Sequence, residues 1–200
     1  EITDRTFDDL LNVIHPGMTE KELCAELIYR LYKYGSEGPS FDPITVSGPN
    51  SSLPHGVPSE RVLQYGDFVT MDFGCLYHGY CSDMTRTFFC ETADPDYAAI
   101  HDLVRSANEK AESLIRPGVR FCDLDKAARD VISEAGYGEY FTHRLGHSIG
   151  MQAHEAGDVS QGNPAEVQEG MTFSIEPGVY LLGKFGVRVE DLVLVTADGC

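Results

Sequence analysis

The sequence reads FVTMDFG from Phe68 to Gly74 and MTFSIEPG from Met171 to Gly178, two apolar runs that each contain one carboxylate. Runs of this length and composition are typical of buried β-strands. An unpaired carboxylate in such surroundings carries a large desolvation cost. The acidic residues of the two runs must therefore be protonated, paired with a cation or bound to a metal ion.

A second carboxylate follows each of these runs. Asp83 precedes the segment MTRTFF, and Glu190 lies within VRVEDLVL. The chain has 15 lysines and arginines against 32 acidic residues, and too few of these cations are near the four carboxylates in sequence to neutralise them all. Divalent metal is the simplest common partner, and it makes the chain a candidate enzyme.

The two pairs of carboxylates belong to two halves of similar plan. The four acids correspond in order, since Asp72 matches Glu176 and Asp83 matches Glu190. Pro-Gly turns are common, but an ordered match that includes all four acids indicates an internal repeat rather than chance. Two such halves facing each other would bring the four carboxylates together at a pseudo-twofold axis. The other matched positions include Pro16 with Pro117, Gly35 with Gly136, Gly66 with Gly170, and Gly79 with Gly186.

Each half is predicted to contain a helix, a Pro-Gly turn, a second helix and then strands, with one acidic residue in each strand. Thr19 and Glu22 form a capping-box pattern that begins a helix. Helices in groups followed by strands in groups favour an antiparallel α+β domain over alternating βαβ units. We expect one domain over residues 1–200, with half-repeats of about 1–95 and 96–200.

Composition limits the function further. The formal net charge of −17 argues against nucleic acid as a partner, because phosphate binding needs a basic surface. No apolar run approaches the ~20 residues needed to span a bilayer. No signal peptide is visible, so we expect a cytoplasmic protein with no membrane partner. The chain begins inside a helical pattern, and we expect it to be an excised domain of a longer protein.

Histidines between glycines follow the second group of helices, in the segment THRLGHSIG from Thr142 to Gly150. An imidazole at such a loop or strand end can reach a metal. Four carboxylates and one imidazole form an oxygen-rich set, which suits manganese, iron, cobalt or zinc better than a thiolate-type metal. Two divalent ions would balance four carboxylates charge for charge.

Five residues in order resemble the ligand pattern of the pita-bread metallopeptidases, the family of methionine aminopeptidase, prolidase and aminopeptidase P. They are Asp72, Asp83, His147, Glu176 and Glu190. The resemblance covers nearly the whole chain. It implies two pseudo-symmetric halves with a curved antiparallel sheet and outer helices. It also implies two divalent ions bridged by Asp83 and Glu190, with Asp72 completing one site and His147 and Glu176 the other. Manganese is the expected metal, with cobalt, zinc and iron as alternatives.

Within this family the chain resembles the Xaa-Pro branch, prolidase and aminopeptidase P. The segments LPHG, DMTRT and GVRVED carry that resemblance, and His143 and Arg188 are its discriminating residues. It implies hydrolysis of the N-terminal peptide bond of Xaa-Pro dipeptides or longer peptides by a metal-bridging hydroxide. We expect the N-terminal domain that such enzymes usually carry to be missing from this chain, and we expect a homodimer only for the full-length protein.

The resemblance also implies roles around the metals. Glu176 would carry a proton to the leaving nitrogen, and His154 would donate a hydrogen bond to the carbonyl oxygen. Arg188 and Tyr180 would hold the substrate or order the hydrogen bonds of the site, although Arg188 could instead pair with a neighbouring acid, Asp191 or Glu190. The expected catalytic residues are Glu176, His154 and His55, and the expected substrate-binding residues are His143, Arg188 and Tyr180.

Three other functions remain open. Methionine aminopeptidase shares the ligand pattern, but Arg188 and His143 argue against it. A creatinase-like amidinohydrolase shares the fold and is disfavoured by the Xaa-Pro-like segments. The third alternative is a catalytically silent binding module. Such relatives typically lose metal ligands, whereas all five are present here.

Overall fold

A computed structural model describes all residues, 1–200. None of its helices combines the length and the apolar character needed to cross a membrane. The helices are α1 (Ile2–Leu10), α2 (Glu20–Lys33), α3 (Pro95–Glu112) and α4 (Phe121–Glu134). The strands of the first half are β1 (Gly38–Pro39), β2 (Ile44–Ser47), β3 (Phe68–Phe73), β4 (Cys75–Tyr77), β5 (Tyr80–Cys81) and β6 (Met84–Phe89). Those of the second half are β7 (Gly146–Ser148), β8 (Glu155–Val159), β9 (Thr172–Ile175), β10 (Gly178–Leu181), β11 (Phe185–Arg188) and β12 (Asp191–Leu194).

The strands pair antiparallel throughout and form four small sheets. The first half contains the sheets β2-β3-β6 and β1-β4-β5. The second half contains β12-β9-β7-β8 and the hairpin β10-β11. Two 3-10 turns lie at Gly48–Ser52 and Gly138–Tyr140. The prediction of an α+β chain with antiparallel sheet is confirmed.

Local signals in the sequence position α2. The Thr19 side chain accepts a hydrogen bond from the Glu22 backbone, and the Glu22 carboxylate accepts one from the Thr19 backbone, so the predicted capping box forms. Leu23, Leu27 and Leu31 repeat along one face and are fully buried. Burying an aliphatic side chain contributes about 1.5–3 kcal/mol, and this face fixes α2 against the first-half sheet.

The pseudo-symmetry of the two halves is visible in their turns. The Gly17 amide donates to the Leu63 carbonyl at 3.0 Å, and the Gly118 amide donates to the Val167 carbonyl at 2.9 Å. Gly17 has φ 102° and Gly118 has φ 89°, a left-handed conformation that favours glycine. The same backbone conformation at corresponding turns is what the predicted internal repeat requires at these two positions.

Each half has its own hydrophobic core, and the cores meet at Phe68. In the first half α1 and α2 pack on β3 and β6, and in the second half α3 and α4 pack on β9 to β12. Phe68 begins β3 but lies in the second core, where its ring centroid is 5.1 Å from that of Phe185. This contact fixes the two halves against each other.

The predicted hairpin around Asp72 and Asp83 forms with a break at Gly74. A Cβ atom at Gly74 would lie 1.7 Å from the Ser82 carbonyl oxygen, so only glycine permits this close approach. Beyond the break, β4 and β5 leave the β3–β6 ladder, and β4 pairs with β1 on one side and with β5 on the other. Phe73 pairs with Met84 at the start of β6, which keeps both arms of the hairpin together near the two aspartates.

The prediction of one acidic residue inside each strand was wrong for three of the four. Asp72 lies within β3, but Asp83 precedes β6, Glu176 follows β9, and Glu190 lies between β11 and β12. Pro177 explains one of these ends, because it has no N–H to continue the ladder. The carboxylates thus lie where strands end or bend, which leaves their oxygens free to converge.

Candidate metal centre

Three buried side chains form the middle of the site. Ligand atoms of Asp83, His147 and Glu190 all lie within 4.8 Å of one another. Asp83 comes from the loop before β6, His147 from β7, and Glu190 from the bend between β11 and β12. The Glu190 amide donates to the Thr85 carbonyl at 3.1 Å, so a backbone bridge between the halves holds this arrangement.

Asp72 and Glu176 flank the middle group. His147 Nε2 is 3.5 Å from Asp83 Oδ2 and 3.5 Å from Glu176 Oε1. Asp72 pairs across the sheet with Ile44 of β2 on one side and Thr85 of β6 on the other. The five residues expected to bind metal all line one cavity of about 930 Å³. The fold therefore brings all five together, from both halves of the chain.

The donor set fits bound metal ions. His147 Nδ1 is 3.2 Å from the Ser148 carbonyl oxygen, which can only accept, so Nδ1 carries the hydrogen. Nε2 then faces two carboxylates, whose charge a metal ion or a proton bound to Nε2 would offset. Asp72 Oδ1 and Asp83 Oδ1 are also buried without a hydrogen-bond partner. Buried polar atoms are normally satisfied, and metal coordination would satisfy these.

The electrostatics of the cluster agree with that fit. Burial raises the pKa of Asp83 to about 7, and repulsion from Asp72 and Glu176 adds to the effect. Burial also raises the pKa of Glu176 and that of Glu190. Burial alone would lower the pKa of His147, but its contacts with Asp83 and Glu176 raise it overall. The carboxylates are crowded enough to retain protons, and divalent ions would replace those protons.

Two hydroxyl groups orient the carboxylates. Thr85 Oγ1 donates to Glu190 Oε2 at 2.6 Å. Ser174 Oγ donates to Glu176 Oε1 at 3.1 Å and accepts from the His147 amide at 3.0 Å. Ser174 was not among the site residues predicted from the sequence. Its position two residues before Glu176, on the same side of an extended chain, is the signal that could have found it.

Arg188 is the one buried cation of the site, and it binds residues of both halves. Its Nη2 donates to Asp72 Oδ2, and its Nε donates to Thr85 Oγ1 at 3.0 Å. Its Nη1 donates to the Tyr180 hydroxyl at 2.8 Å and to the Pro54 carbonyl at 3.1 Å. Arg188 therefore pairs with Asp72, and the alternative pairing with Asp191 or Glu190 was wrong.

Tyr180 links Arg188 to His143. Burial lowers the pKa of His143 to about 4, so its ring is neutral near pH 7. His143 Nδ1 donates to the Arg144 carbonyl at 2.7 Å, and Nε2 therefore accepts from the Tyr180 hydroxyl at 2.9 Å. Arg188 and His143 line the cavity, whereas Tyr180 is buried behind them. Of the two roles expected for Tyr180, ordering hydrogen bonds is the one that this position allows.

His55 and His154 lie at the mouth of the cavity, and both are exposed. The His154 ring centroid is 4.2 Å from that of His147. Burial against this neighbour lowers the pKa of His154, and the charge of His147 lowers it further. A further part of the cavity wall was not predicted from the sequence, because it combines α2 with the segment before β2. That wall contains Cys24, Ile28, Phe41 and Asp42.

Comparison with known proteins agrees with the fold and the cluster. Residues 1–197 match metallopeptidase family M24, and the chain belongs to that family. It is 41% identical over 199 residues to a Xaa-Pro dipeptidase of Pyrococcus horikoshii, covering 100% of this chain and 57% of that protein. The chain thus spans little more than half the length of this relative.

Two solved structures give the same result. An X-Pro aminopeptidase from Thermotoga maritima superposes with a TM-score of 0.97 at 42% identity, over 100% of this chain and 56% of that chain. A prolidase from Pyrococcus furiosus superposes with a TM-score of 0.96 at 40% identity, over 99% and 59%. The expected pita-bread fold and the resemblance to the Xaa-Pro branch are confirmed.

Proposed function

We propose that this chain hydrolyses the N-terminal peptide bond of Xaa-Pro dipeptides or peptides with the help of two divalent metal ions. One observation carries the proposal. Ligand atoms of Asp83, His147 and Glu190, drawn from both halves, meet within 4.8 Å in a cavity that Asp72 and Glu176 also line. The names of the similar proteins, an Xaa-Pro dipeptidase, an X-Pro aminopeptidase and a prolidase, support proline as the second residue of the substrate.

Five residues would hold the metals. Asp83 and Glu190, at the middle of the cluster, would bridge two ions. Asp72 would complete one site, and His147 with Glu176 would complete the other. The oxygen-rich set favours manganese, with cobalt, zinc or iron as alternatives. When bound, the ions supply a polarised carbonyl and a water of lowered pKa.

The chain's own residues would handle the protons. Glu176 accepts a proton from the attacking water and passes it to the leaving nitrogen, a general-base and then general-acid role. The nitrogen of proline in a peptide bond has no hydrogen, so it must gain one before it can leave as an amine. Burial raises the pKa of Glu176, which makes its carboxylate a stronger base for taking up the proton in the first of these steps.

Three histidines would act on the peptide itself. The lowered pKa of His154 keeps its ring neutral, and an imidazole N–H could then donate to the carbonyl oxygen as charge develops there. His55 lies on the same cavity wall and would orient the peptide beside it. His143, neutral and held by the Tyr180 hydroxyl, would present a fixed ring edge to the proline side.

A substrate panel tests the proposal. The manganese-loaded protein is assayed against Ala-Pro, Ala-Pro-Ala, Met-Ala-Ser and creatine. Cleavage before proline is expected, and the ratio of dipeptide to tripeptide rates then names the subclass. The Glu176→Ala variant should lose activity, while Glu169→Gln, which removes an exposed carboxylate elsewhere, should retain it.

The other outcomes each point to a different function. Release of methionine from Met-Ala-Ser alone would move the assignment to methionine aminopeptidase, and turnover of creatine would indicate an amidinohydrolase. Metal content is measured in the same samples. If none of the four substrates is turned over although two metal ions are bound per chain, the proposed activity of this chain would be contradicted.

A further inference from the structure

The cavity continues past the metal centre to a wall that the proposed mechanism does not use. Cys24 and Ile28 lie one turn apart on α2, so both half-buried side chains share one face of the helix. Phe41 and Ile44 extend this surface from the segment that leads into β2. This surface of the cavity is therefore apolar. We use the name α2 wall for five residues, Cys24, Ile28, Phe41, Ile44 and Asp42.

Asp42 is the one charged residue of the α2 wall. It is exposed, and its carboxylate forms no ion pair and no hydrogen bond with any other residue of the chain. The acids of the metal centre differ, since Asp72 is paired with Arg188 and Glu190 with Thr85. A carboxylate without a partner, next to the apolar side chains of the α2 wall, attracts a ligand that has an apolar stem and a cationic end.

The positive and imidazole side of the cavity is built from other segments than the α2 wall. Arg188 and His55 both lower the pKa of His143 after burial, and His55 also lowers that of His154, so these groups lie near one another. The carboxylate end of a dipeptide would be attracted to that side and repelled by Asp42. With the scissile bond at the metal centre, the first residue of the peptide would then extend along the α2 wall.

The spacing along the strand suits a long first side chain. Ile44 lies directly across from Asp72 in the β2–β3 ladder. Asp42 is two residues before Ile44, in the segment that leads into β2, where an extended chain would cover about 7 Å between the two residues. Lysine and arginine place a flexible apolar stem before a charged group. Their stems would cover Ile28 and Phe41 while the cation reached Asp42.

We propose that Asp42 is a specificity residue that favours lysine or arginine as the first residue of the substrate. The proposal rests on the proposed Xaa-Pro peptidase function and names the substrate class of that site. Its effect should be modest, because the carboxylate is exposed and a solvated ion pair contributes little.

The test compares two substrates of matched length, Lys-Pro and norleucine-Pro, with the manganese-loaded protein at low salt. We expect the ratio of their kcat/KM values to fall about twofold to fivefold in Asp42→Asn, the upper part of the range for an exposed ion pair. Glu169→Gln removes an exposed carboxylate that does not line the cavity, and it should leave the ratio unchanged. The difference in this ratio between the wild-type protein and Asp42→Asn should shrink at about 0.5 M salt, where screening is strong.

A charge reversal gives a second measurement. Asp42→Lys should raise the kcat/KM of Glu-Pro relative to Gln-Pro. Equal Lys-Pro to norleucine-Pro ratios in the wild-type protein and in Asp42→Asn would overturn the assignment of Asp42, even if all rates fell together. Failure of the metal-loaded wild-type protein to cleave any Xaa-Pro peptide would instead overturn the proposed function, and the inference with it.

Discussion

Thr85 and Glu190 are 105 positions apart in the sequence and are joined by two hydrogen bonds. The Thr85 hydroxyl donates to the Glu190 carboxylate at 2.6 Å, and the Glu190 amide donates to the Thr85 carbonyl at 3.1 Å. Arg86 reinforces the contact by donating to the Glu190 carbonyl and to the Asp191 carboxylate at 2.6 Å. The first half of the chain therefore fixes the position of an acid that the second half supplies.

Replacing Thr85 by valine should weaken metal binding. The change keeps the side-chain shape but removes the hydroxyl that orients Glu190. Groups that orient metal ligands typically affect metal affinity or activity by about 10-fold to 100-fold, and we expect an increase of that size in the manganese concentration that gives half-maximal activity. Thr85→Ser retains the hydroxyl and should restore the wild-type value. If valine and serine behave alike, the hydroxyl has no such role.

Replacing Arg188 by methionine should destabilise the metal-free protein. Arg188 donates to Asp72, Thr85, Tyr180 and the Pro54 carbonyl, and its removal leaves the Asp72 carboxylate buried without a cation. Breaking a buried ion pair costs about 3–5 kcal/mol. The free energy of unfolding is measured by urea titration with a chelator present.

Two further variants test whether the loss of stability in Arg188→Met comes from the unpaired Asp72 carboxylate. In an Asp72→Asn background the same Arg188→Met change should lower the free energy of unfolding by less, because no carboxylate is left without its cation. Arg105→Met removes an arginine from an exposed pair with Asp102 and should change the free energy of unfolding by less than about 1 kcal/mol. Equal costs for Arg188→Met with and without the Asp72 carboxylate would contradict the pairing.

Removing the hydroxyl of Tyr180 should affect kcat rather than KM. The hydroxyl lies between Arg188 and His143, and the ring is behind the cavity wall. Tyr180→Phe should therefore lower kcat for Ala-Pro, because Arg188 and His143 lose the hydroxyl that positions them. The KM should change by less than about twofold, since no ground-state contact with the peptide is lost. A rise in KM at constant kcat would show that Tyr180 binds the substrate directly. Tyr65→Phe, an exposed tyrosine outside the cavity, is the control.

Local sequence signals were sufficient for much of the fold. The capping box at Thr19 and Glu22 and the Pro-Gly turns are each specified by a few consecutive residues, and each formed as predicted. The convergence of the acids could also be predicted, because a buried carboxylate needs a partner wherever it lies. The internal repeat then indicated that four buried carboxylates share a common partner.

These local signals could not predict contacts between segments that are distant in the sequence. Arg188 and Asp72 are 116 positions apart, and nothing near either residue specifies the other. Sequence analysis left Arg188 between substrate binding and pairing with a neighbouring acid, whereas Asp191 in fact pairs with Arg86. The α2 wall was missed for the same reason, because Asp42 and Ile28 line the same cavity only after α2 packs on β2.

Replacing Glu112 by glutamine should stabilise the protein at alkaline pH. Burial raises the pKa of Glu112 from 4.5 to about 7, and repulsion from Asp191 adds to the effect. A carboxyl whose pKa is raised by folding contributes stability below its unfolded pKa and loses that contribution as pH rises through about 7. At pH 8 the ionised carboxylate is therefore unfavourable, and glutamine removes its charge. The gain should be about 1 kcal/mol, because the side chain is only half-buried and solvent screens it. Urea unfolding at several pH values should show a gain at pH 8 that declines toward pH 5, whereas Glu134→Gln, an exposed change on α4, should show none. A gain independent of pH would contradict the raised pKa.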